Sequence, residues 1–478
     1  MTSPALAQHL IAGELTGDAV TERRNPARTG EIAVLAAKGG AADMDTAIAA
    51  AVDAQHTWAA MPAPARGAVL LRAAQLLTER KTQIAEDLVR EEGKTRAEAE
   101  GEVGRAIGVF QFFGSLGWAA SGSVYPSGMP DTTVSTRREP LGVVGLITPW
   151  NFPIAIPAWK TAPALISGNA VVLKPAELTP MSATHLGMAL RDAGLPAGIF
   201  SVVHGRGSVV GDALARDRRI AALSFTGSTA VGLQLQQTLN ARRARAQLEM
   251  GGKNGVLVLD DADPRKAARV VAAGAFSLTG QACTATSRVF VTPGIRRAFL
   301  DELAALASTY VPGDGLDAAT TMGPVVSDAQ LERDVSAVQA AVDAGARLLH
   351  GDASADGLHF APVVATEIAH DAPLATDEIF GPVVAVLDVD DYESGLAAIN
   401  DSPYGLTAGI CTDSLTRSTD FADRVQAGVV KVNRPTSGLD LHVPFGGIKD
   451  SSSNTFREQG HSATEFYTWE KTVYTGIE

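Results

Sequence analysis

Cysteine is nearly absent: Cys283 and Cys411 are the only two among 478 residues. So few thiols exclude a disulfide framework and suit a reducing compartment. Nine histidines lie at no ligand-like spacing, so no metal site is expected. No apolar run reaches about 18 residues without proline or polar breaks, and no basic segment followed by an apolar core opens the chain. Neither a membrane span nor a secretory leader is therefore expected. Positive charge is also short, with 40 Lys and Arg against 53 Asp and Glu and a net charge of −13. That balance disfavours nucleic acid or an anionic membrane as the main partner. What is present is globular, 46% apolar and 19% charged, in a chain too long for one core. A cytoplasmic protein of two or three domains is the expectation.

Residues 1–40 are mixed and turn-rich. Alanine-rich amphipathic patterns over 43–58, 66–78 and 81–92 then predict helices. Another follows over 97–113 and carries Arg105 among apolar neighbours, as a side chain snorkelling from one face would lie. Residues 121–138 read as a protruding hairpin. Short β-branched runs at 143–147, 170–174, 200–203 and 221–225 alternate with helical patterns, which predicts a parallel, doubly wound sheet. The rhythm restarts after Lys253 with a strand over 256–259 and a helix over 264–278, giving a second α/β domain. Cys411 falls in a predicted strand and reads as structural. Residues 463–474 have strand character, with Phe466, Tyr467, Trp469 and Tyr474 suited to a core or a subunit interface.

Ligands of doubly wound sheets meet the strands' carboxyl ends. Three such ends carry chemistry: Thr148-Pro149-Trp150-Asn151-Phe152-Pro153, Lys174-Pro175-Ala176-Glu177 and Thr226-Gly227-Ser228. Gly227 and Ser228 lead into a helix whose free N–H groups can meet a pyrophosphate. An ordinary turn with a serine N-cap fits the same residues. Lys174 and Glu177 suit ribose hydroxyls, or plain solvation. Cys283, just after a long apolar helix pattern, is a candidate nucleophile, because a thiolate adds readily to a carbonyl carbon. A small buried hydrophobe is its alternative reading.

Seven separated motifs, TPWNFP (148–153), KPAE (174–177), FTGS (225–228), LEMGGKN (248–254), GQACTATSR (280–288), EIFGPV (378–383) and PFGG (444–447), together resemble the aldehyde dehydrogenase superfamily over nearly the whole chain. The resemblance implies a dinucleotide-binding domain over 1–120 and 141–249 and a catalytic domain over 250–450. It also implies an oligomerisation element, 121–140 with 451–478, whose hairpin pairs across subunits with the terminal strand of a homodimer or homotetramer. Cys283 would be the nucleophile, Glu249 the general base, Asn151 the oxyanion donor, and Lys160 a proton relay or a support for the base. Thr148, Pro149, Trp150, Lys174, Glu177, Gly227, Ser228, Glu378 and Phe380 would hold the dinucleotide. Glu177 favours NAD, since a carboxylate at the ribose repels a 2′-phosphate, while Lys174 keeps NADP open.

Within that superfamily, 136–160 and 432–443 resemble 2,5-dioxopentanoate (α-ketoglutaric semialdehyde) dehydrogenases. Their substrate carries a carboxylate remote from its aldehyde, and Arg105 is the first candidate anchor, with Arg434 second. Phe152, Ile156, Trp159 and Phe445 would wall the tunnel, and Ala282 and Thr284 would shape it beside the nucleophile. Ile448, Asp450 and Ala282 depart from the subfamily pattern, which bears on substrate preference. Succinate semialdehyde or a broad aliphatic aldehyde is the rival substrate. Acylating chemistry with coenzyme A is a rival class, against which Glu249 speaks. A non-catalytic binding protein on the same fold would be expected to lack Cys283, Glu249 or Asn151.

Overall fold

The β-branched runs assemble, in the computed structural model, into two seven-stranded sheets; residues 3–119 and 121–476 are described. The outer limits expected for the units, at 1–2 and 477–478, and their junction at 120 lie outside the described residues. The first sheet runs Arg245–Glu249, Ile220–Thr226, Val143–Ile147, Ala170–Lys174, Phe200–Val202, His9–Ile11, Glu14–Thr16. Its first five strands are parallel and the last two are antiparallel additions. Ala170–Lys174 is buried throughout, as a parallel strand covered on both faces must be. Helices Ala41–Ala60 and Ala155–Ile166 lie against it. After Val143–Ile147 the chain adds strands on one side, then crosses to add Ile220–Thr226 on the other. At that switch point the two strand ends, Thr148 and Gly227, open beside each other.

The second sheet runs Arg347–His350, Val363–Thr366, Val383–Asp388, Arg288–Val291, Gly255–Val258, Thr407–Cys411, Val429–Val432, parallel except for the first edge strand. A third, three-stranded sheet projects from the body as Thr468–Gly476, Thr132–Pro140 and Val124–Tyr125.

Four local expectations need correction. The start of the chain is not merely turn material: Ala5–Ala7, His9–Ile11, Glu14–Thr16, Ala19–Asn25 and Arg28–Ala37 are strands. Short length and tight turns at Gly13 (φ 83°) and Gly17 (φ 82°) mask their alternation. The helix expected over 264–278 ends at Phe276, because Leu278 and Thr279 take left-handed backbone angles. Residues 463–474 divide into a short helix, Ala463–Tyr467, whose Phe466 and Tyr467 enter the first core, and the strand Thr468–Gly476. Finally, that strand pairs with the hairpin inside one chain, Thr468 opposite Pro140 through Gly476 opposite Thr132. The hairpin's partner strand thus comes from the same chain, and Thr468–Gly476 is left as an edge of the sheet with its outer backbone groups open to a further strand.

Candidate functional site

Turns leaving the first sheet and loops entering the second face each other across a cavity of about 140 Å³. The first sheet contributes Pro149, Trp150 and Asn151 from one strand end and Thr226, Gly227 and Ser228 from its neighbour. Opposite lie Met250, Gly251, Cys283, Gln330, Arg333, Glu378 and Phe380. Cys283 precedes the strand Arg288–Val291, and Glu378 and Phe380 precede Val383–Asp388. The second sheet therefore offers its strands' amino ends, not the carboxyl ends that the sequence argument favoured. Eight of the sequence-predicted residues thus line one cavity. Gln330 and Arg333 were missed; they lie at i, i+3 on the helix Asp328–Asp343, and Gln330 Nε2 donates to the Ile379 carbonyl at 2.9 Å beside Glu378. Without a partner motif, that spacing reads as an ordinary solvated helix face.

The loop leading to Cys283 is shaped by three successive left-handed residues, Leu278 (φ 55°), Thr279 (φ 57°) and Gly280 (φ 66°). Such angles cost on the order of 1 kcal/mol each for residues with a Cβ and need support from the surroundings. Glu98 Oε1 accepts from the Leu278 N–H at 2.7 Å, and Thr279 Oγ1 donates to the Gly323 carbonyl at 3.0 Å. A Cβ at Gly280 would collide with the Gly381 carbonyl. Beyond this bend Asn254 Nδ2 donates to the Cys283 carbonyl at 2.8 Å. Ala282 and Thr284 are buried on either side of a Cys283 that is only partly covered. Burial pushes its thiol up to about 12, with the carboxylates of Glu378, Glu249 and Glu458 adding to the effect. An upward shift of that kind leaves a cysteine thiol dependent on a nearby base for ionisation.

Asn151 sits on a turn held from below. Lys94 Nζ donates to the Asn151 carbonyl at 2.8 Å and to Glu102 Oε2 at 2.7 Å, while Glu102 Oε1 accepts from the N–H groups of Ile154 and Ala155 at the start of the helix Ala155–Ile166. Phe152 lies half-buried with the Lys94 ammonium 4.9 Å from its ring centre. The Asn151 amide donates one hydrogen to the Gln281 carbonyl at 2.9 Å, which orients the group beside Cys283 and leaves its second hydrogen for a ligand.

Glu249 ends the strand Arg245–Glu249. It accepts from the Gly447 N–H at 3.0 Å and from Ser452 Oγ at 3.1 Å. Burial holds its carboxyl well above the usual range and Glu458 adds to this, against the pull of Gly447, Lys160 and Ser452. Glu458 is a third residue that the sequence did not flag. It is buried, bridges Trp159 Nε1 at 2.8 Å through Oε2, and forms an ion pair with Lys160 through Oε1. Lys160 also donates to Ser224 Oγ at 2.7 Å. The direct charge partner of Lys160 is thus Glu458, and Glu249 feels it at one remove. In sequence Glu458 is one acidic residue in a polar stretch, with no periodicity to mark it.

On the other side, Lys174 is buried with its Nζ 4.0 Å from Glu177 Oε1, which accepts from the Gly207 N–H at 3.1 Å. Burial lowers the Lys174 pKa and Glu177 opposes that. Thr148 is buried beneath, its Oγ1 without a partner among the described residues. Ser228 precedes the helix Thr229–Ala241 without capping it through its side chain, so the N–H groups of the first turn stay available to an anion. A Cβ at Gly227 would stand 2.6 Å from the Phe225 ring. Glu378 accepts from the Gly252 N–H at 2.9 Å, and the rings of Trp150 and Phe380 meet edge to face at 5.4 Å.

The expected substrate wall is only partly assembled around the cavity. Trp159 and Phe445 are buried and meet with centroids 6.4 Å apart, and the Arg105 guanidinium lies 5.6 Å from the Trp159 ring centre. Arg105 does not line the cavity itself; it donates to the Leu439 carbonyl and to Gln459 Oε1. Ile156 packs into the first core, 1% exposed, instead of facing the cavity, and Arg434 is an exposed loop residue.

Comparison with known proteins adds three findings. The aldehyde dehydrogenase family matches residues 15–473. The chain is 45% identical over 484 aligned positions to an alpha-ketoglutarate semialdehyde dehydrogenase of Haloferax volcanii, covering 99% of each, and 42% identical over 438 to a 2,5-dioxopentanoate dehydrogenase of Saccharolobus solfataricus, covering 91% of each. It superposes on an NAD-dependent aldehyde dehydrogenase of Sinorhizobium meliloti with a TM-score of 0.96 at 33% identity, over 99% of this chain and 95% of that one.

Proposed function

The chain belongs to the aldehyde dehydrogenase family, and from that premise we propose that it oxidises 2,5-dioxopentanoate to 2-oxoglutarate, with NAD as the preferred hydride acceptor. The observation that carries the reading is the meeting of Cys283, Asn151, Glu378 and the amino end of the helix Thr229–Ala241 in one cavity. The names of the relatives support the choice of semialdehyde.

The donor set fits a dinucleotide. Free N–H groups after Ser228 suit the pyrophosphate, Lys174 and Glu177 the adenosine ribose, and Glu378 the nicotinamide ribose, with Trp150 and Phe380 packing the ring end. When bound, the nicotinamide supplies the hydride acceptor that lets the adduct collapse to a thioester. Glu249 takes the Cys283 proton, and the sulfur adds to the aldehyde carbon. The carbonyl oxygen, now an oxyanion, is met by the free hydrogen of Asn151 and the Cys283 N–H; one such donor is worth about 100- to 1,000-fold in rate. Once it has passed that proton to solvent, Glu249 deprotonates a water that attacks the thioester carbon, expelling the Cys283 thiolate and freeing the carboxylate. Its raised pKa makes it a stronger base for both transfers. Hydrolysis through Glu249 supports a non-acylating enzyme.

Assembly as a homodimer or homotetramer belongs to the projecting third sheet and its surroundings, where Trp118 (84% exposed) and Val124 (80%) stand bare. A cytoplasmic location suits the two unpaired thiols. The test is dinucleotide reduction with 2,5-dioxopentanoate, succinate semialdehyde and a neutral aldehyde of similar length. The expected result is a kcat/KM for 2,5-dioxopentanoate on the order of 100-fold above the neutral aldehyde. Equal values would leave the dehydrogenase standing and remove the semialdehyde.

A further inference from the structure

Gln459 is fully buried, and its Oε1 accepts from Arg105 Nη2 at 2.7 Å. A guanidinium has no acceptor, so this bond fixes which end of the amide faces Arg105. Nε2 must point the other way, and there it has no acceptor among the described residues. Buried donors are almost always paired, and an orphan costs about 1–3 kcal/mol. The position is also strained, since Gln459 holds φ 62°. Its backbone is pinned on both sides: Glu458 exchanges two 2.7 Å backbone bonds with Phe445, and the Gln459 carbonyl accepts from Ser462 Oγ at 2.9 Å. The side chain is therefore held in place by structure that does not use its amide nitrogen.

The charges differ from one end to the other, although the Asp440 carboxylate also acts on Arg105 from beyond ion-pair distance. Arg105 makes no ion pair within 4.0 Å among the described residues; its fixed partners are a carbonyl and this amide. Across Trp159, whose indole bonds Glu458, the carboxylates of Glu249, Glu378 and Glu458 surround Cys283. An anionic group is repelled from the sulfur end and attracted to the guanidinium end. We propose that Gln459 is a specificity-determining residue, donating its Nε2 hydrogens, beside the Arg105 guanidinium, to the remote carboxylate of the semialdehyde substrate. This rests on the semialdehyde reading above. The pair also orients the chain, so that the aldehyde carbon is delivered to Cys283.

The test is steady-state kinetics of Gln459→Glu and Gln459→Met against the wild type with 2,5-dioxopentanoate, succinate semialdehyde and pentanal. Gln459→Glu retains an oxygen for Arg105 and the same shape, but turns the donor into an anion. Its kcat/KM for both semialdehydes should fall about 100-fold, mostly through KM, with pentanal changed by no more than about 3-fold. Gln459→Met, which removes donor and acceptor without adding charge, should lose about 10-fold on the semialdehydes alone. Equal losses on all three substrates would make Gln459 a structural residue and overturn the proposal, as would unchanged semialdehyde kinetics in both variants. A wild type with no preference for semialdehydes over pentanal would sink the substrate reading itself, before either variant is compared.

Discussion

The two flanks of the cavity are assembled over very different distances along the chain. On the dinucleotide flank, Pro149 and Trp150, Lys174 to Glu177 and Gly227 to Ser228 are each placed by the strand that ends just before them, and they work largely through backbone N–H groups and a tight glycine turn. On the other flank, Trp159 and Lys160 meet Glu458 across 299 and 298 residues, and Arg105 meets Gln459 across 354. The first flank is local geometry. The second is a network of buried charges and amides, in which removing one member strands the others at about 3–5 kcal/mol. Substitutions on the first flank should therefore tune binding, and those at or beyond the sulfur should abolish or redirect chemistry.

The sharpest break comes from Cys283→Ala. Turnover should fall at least about 10,000-fold, while NAD binding followed by calorimetry is kept, because the dinucleotide flank owes nothing to the sulfur. Residual oxidation near the wild-type rate would end the covalent mechanism.

The same division decides what could be read before the structure. Strands at 143–147, 170–174 and 221–225 are short, mostly apolar runs between helical patterns, so their ends, and the residues that line the cavity there, follow from position alone. Cys283 was visible as an isolated thiol in a small-residue loop. The left-handed bend at Leu278 and Thr279 was not, because neither residue is a glycine that would announce it. Gln330, Arg333, Glu458 and Gln459 are polar residues in polar stretches. Only the fold buries Glu458 and Gln459, and a buried partner some 300 residues away leaves no periodicity in either segment. Arg105 was singled out among its apolar neighbours, yet the amide that holds it was invisible.

Glu249→Gln sits on the boundary between the flanks and should separate the two half-reactions. One equivalent of NADH should appear quickly, then turnover should stall by about 100- to 1,000-fold. The wild-type pH profile carries the matching signature. Burial and Glu458 raise the Glu249 carboxyl, so the base is charged and turnover is present above that raised pKa and lost as pH falls through it. The acid limb should thus lie above the ordinary carboxylate range. Steady-state turnover of Glu249→Gln equal to wild type would remove the residue from the mechanism.

The smallest expected effect is the test of the local flank. Glu177 is 48% exposed, so its field on a ribose 2′-phosphate is screened by water and salt. In Glu177→Gln the remaining amide oxygen can still accept from the Gly207 N–H, which preserves the turn and removes only the charge. Lys174, 4.0 Å away and buried, then faces the phosphate without a competing carboxylate. The NADP-to-NAD ratio of kcat/KM should rise about 10-fold at low salt, and the gain should shrink as ionic strength increases. A ratio that stays put at every salt concentration would mean that Lys174 and Glu177 do not meet the ribose, and the contrast between a tunable flank and a committed one would lose its first half.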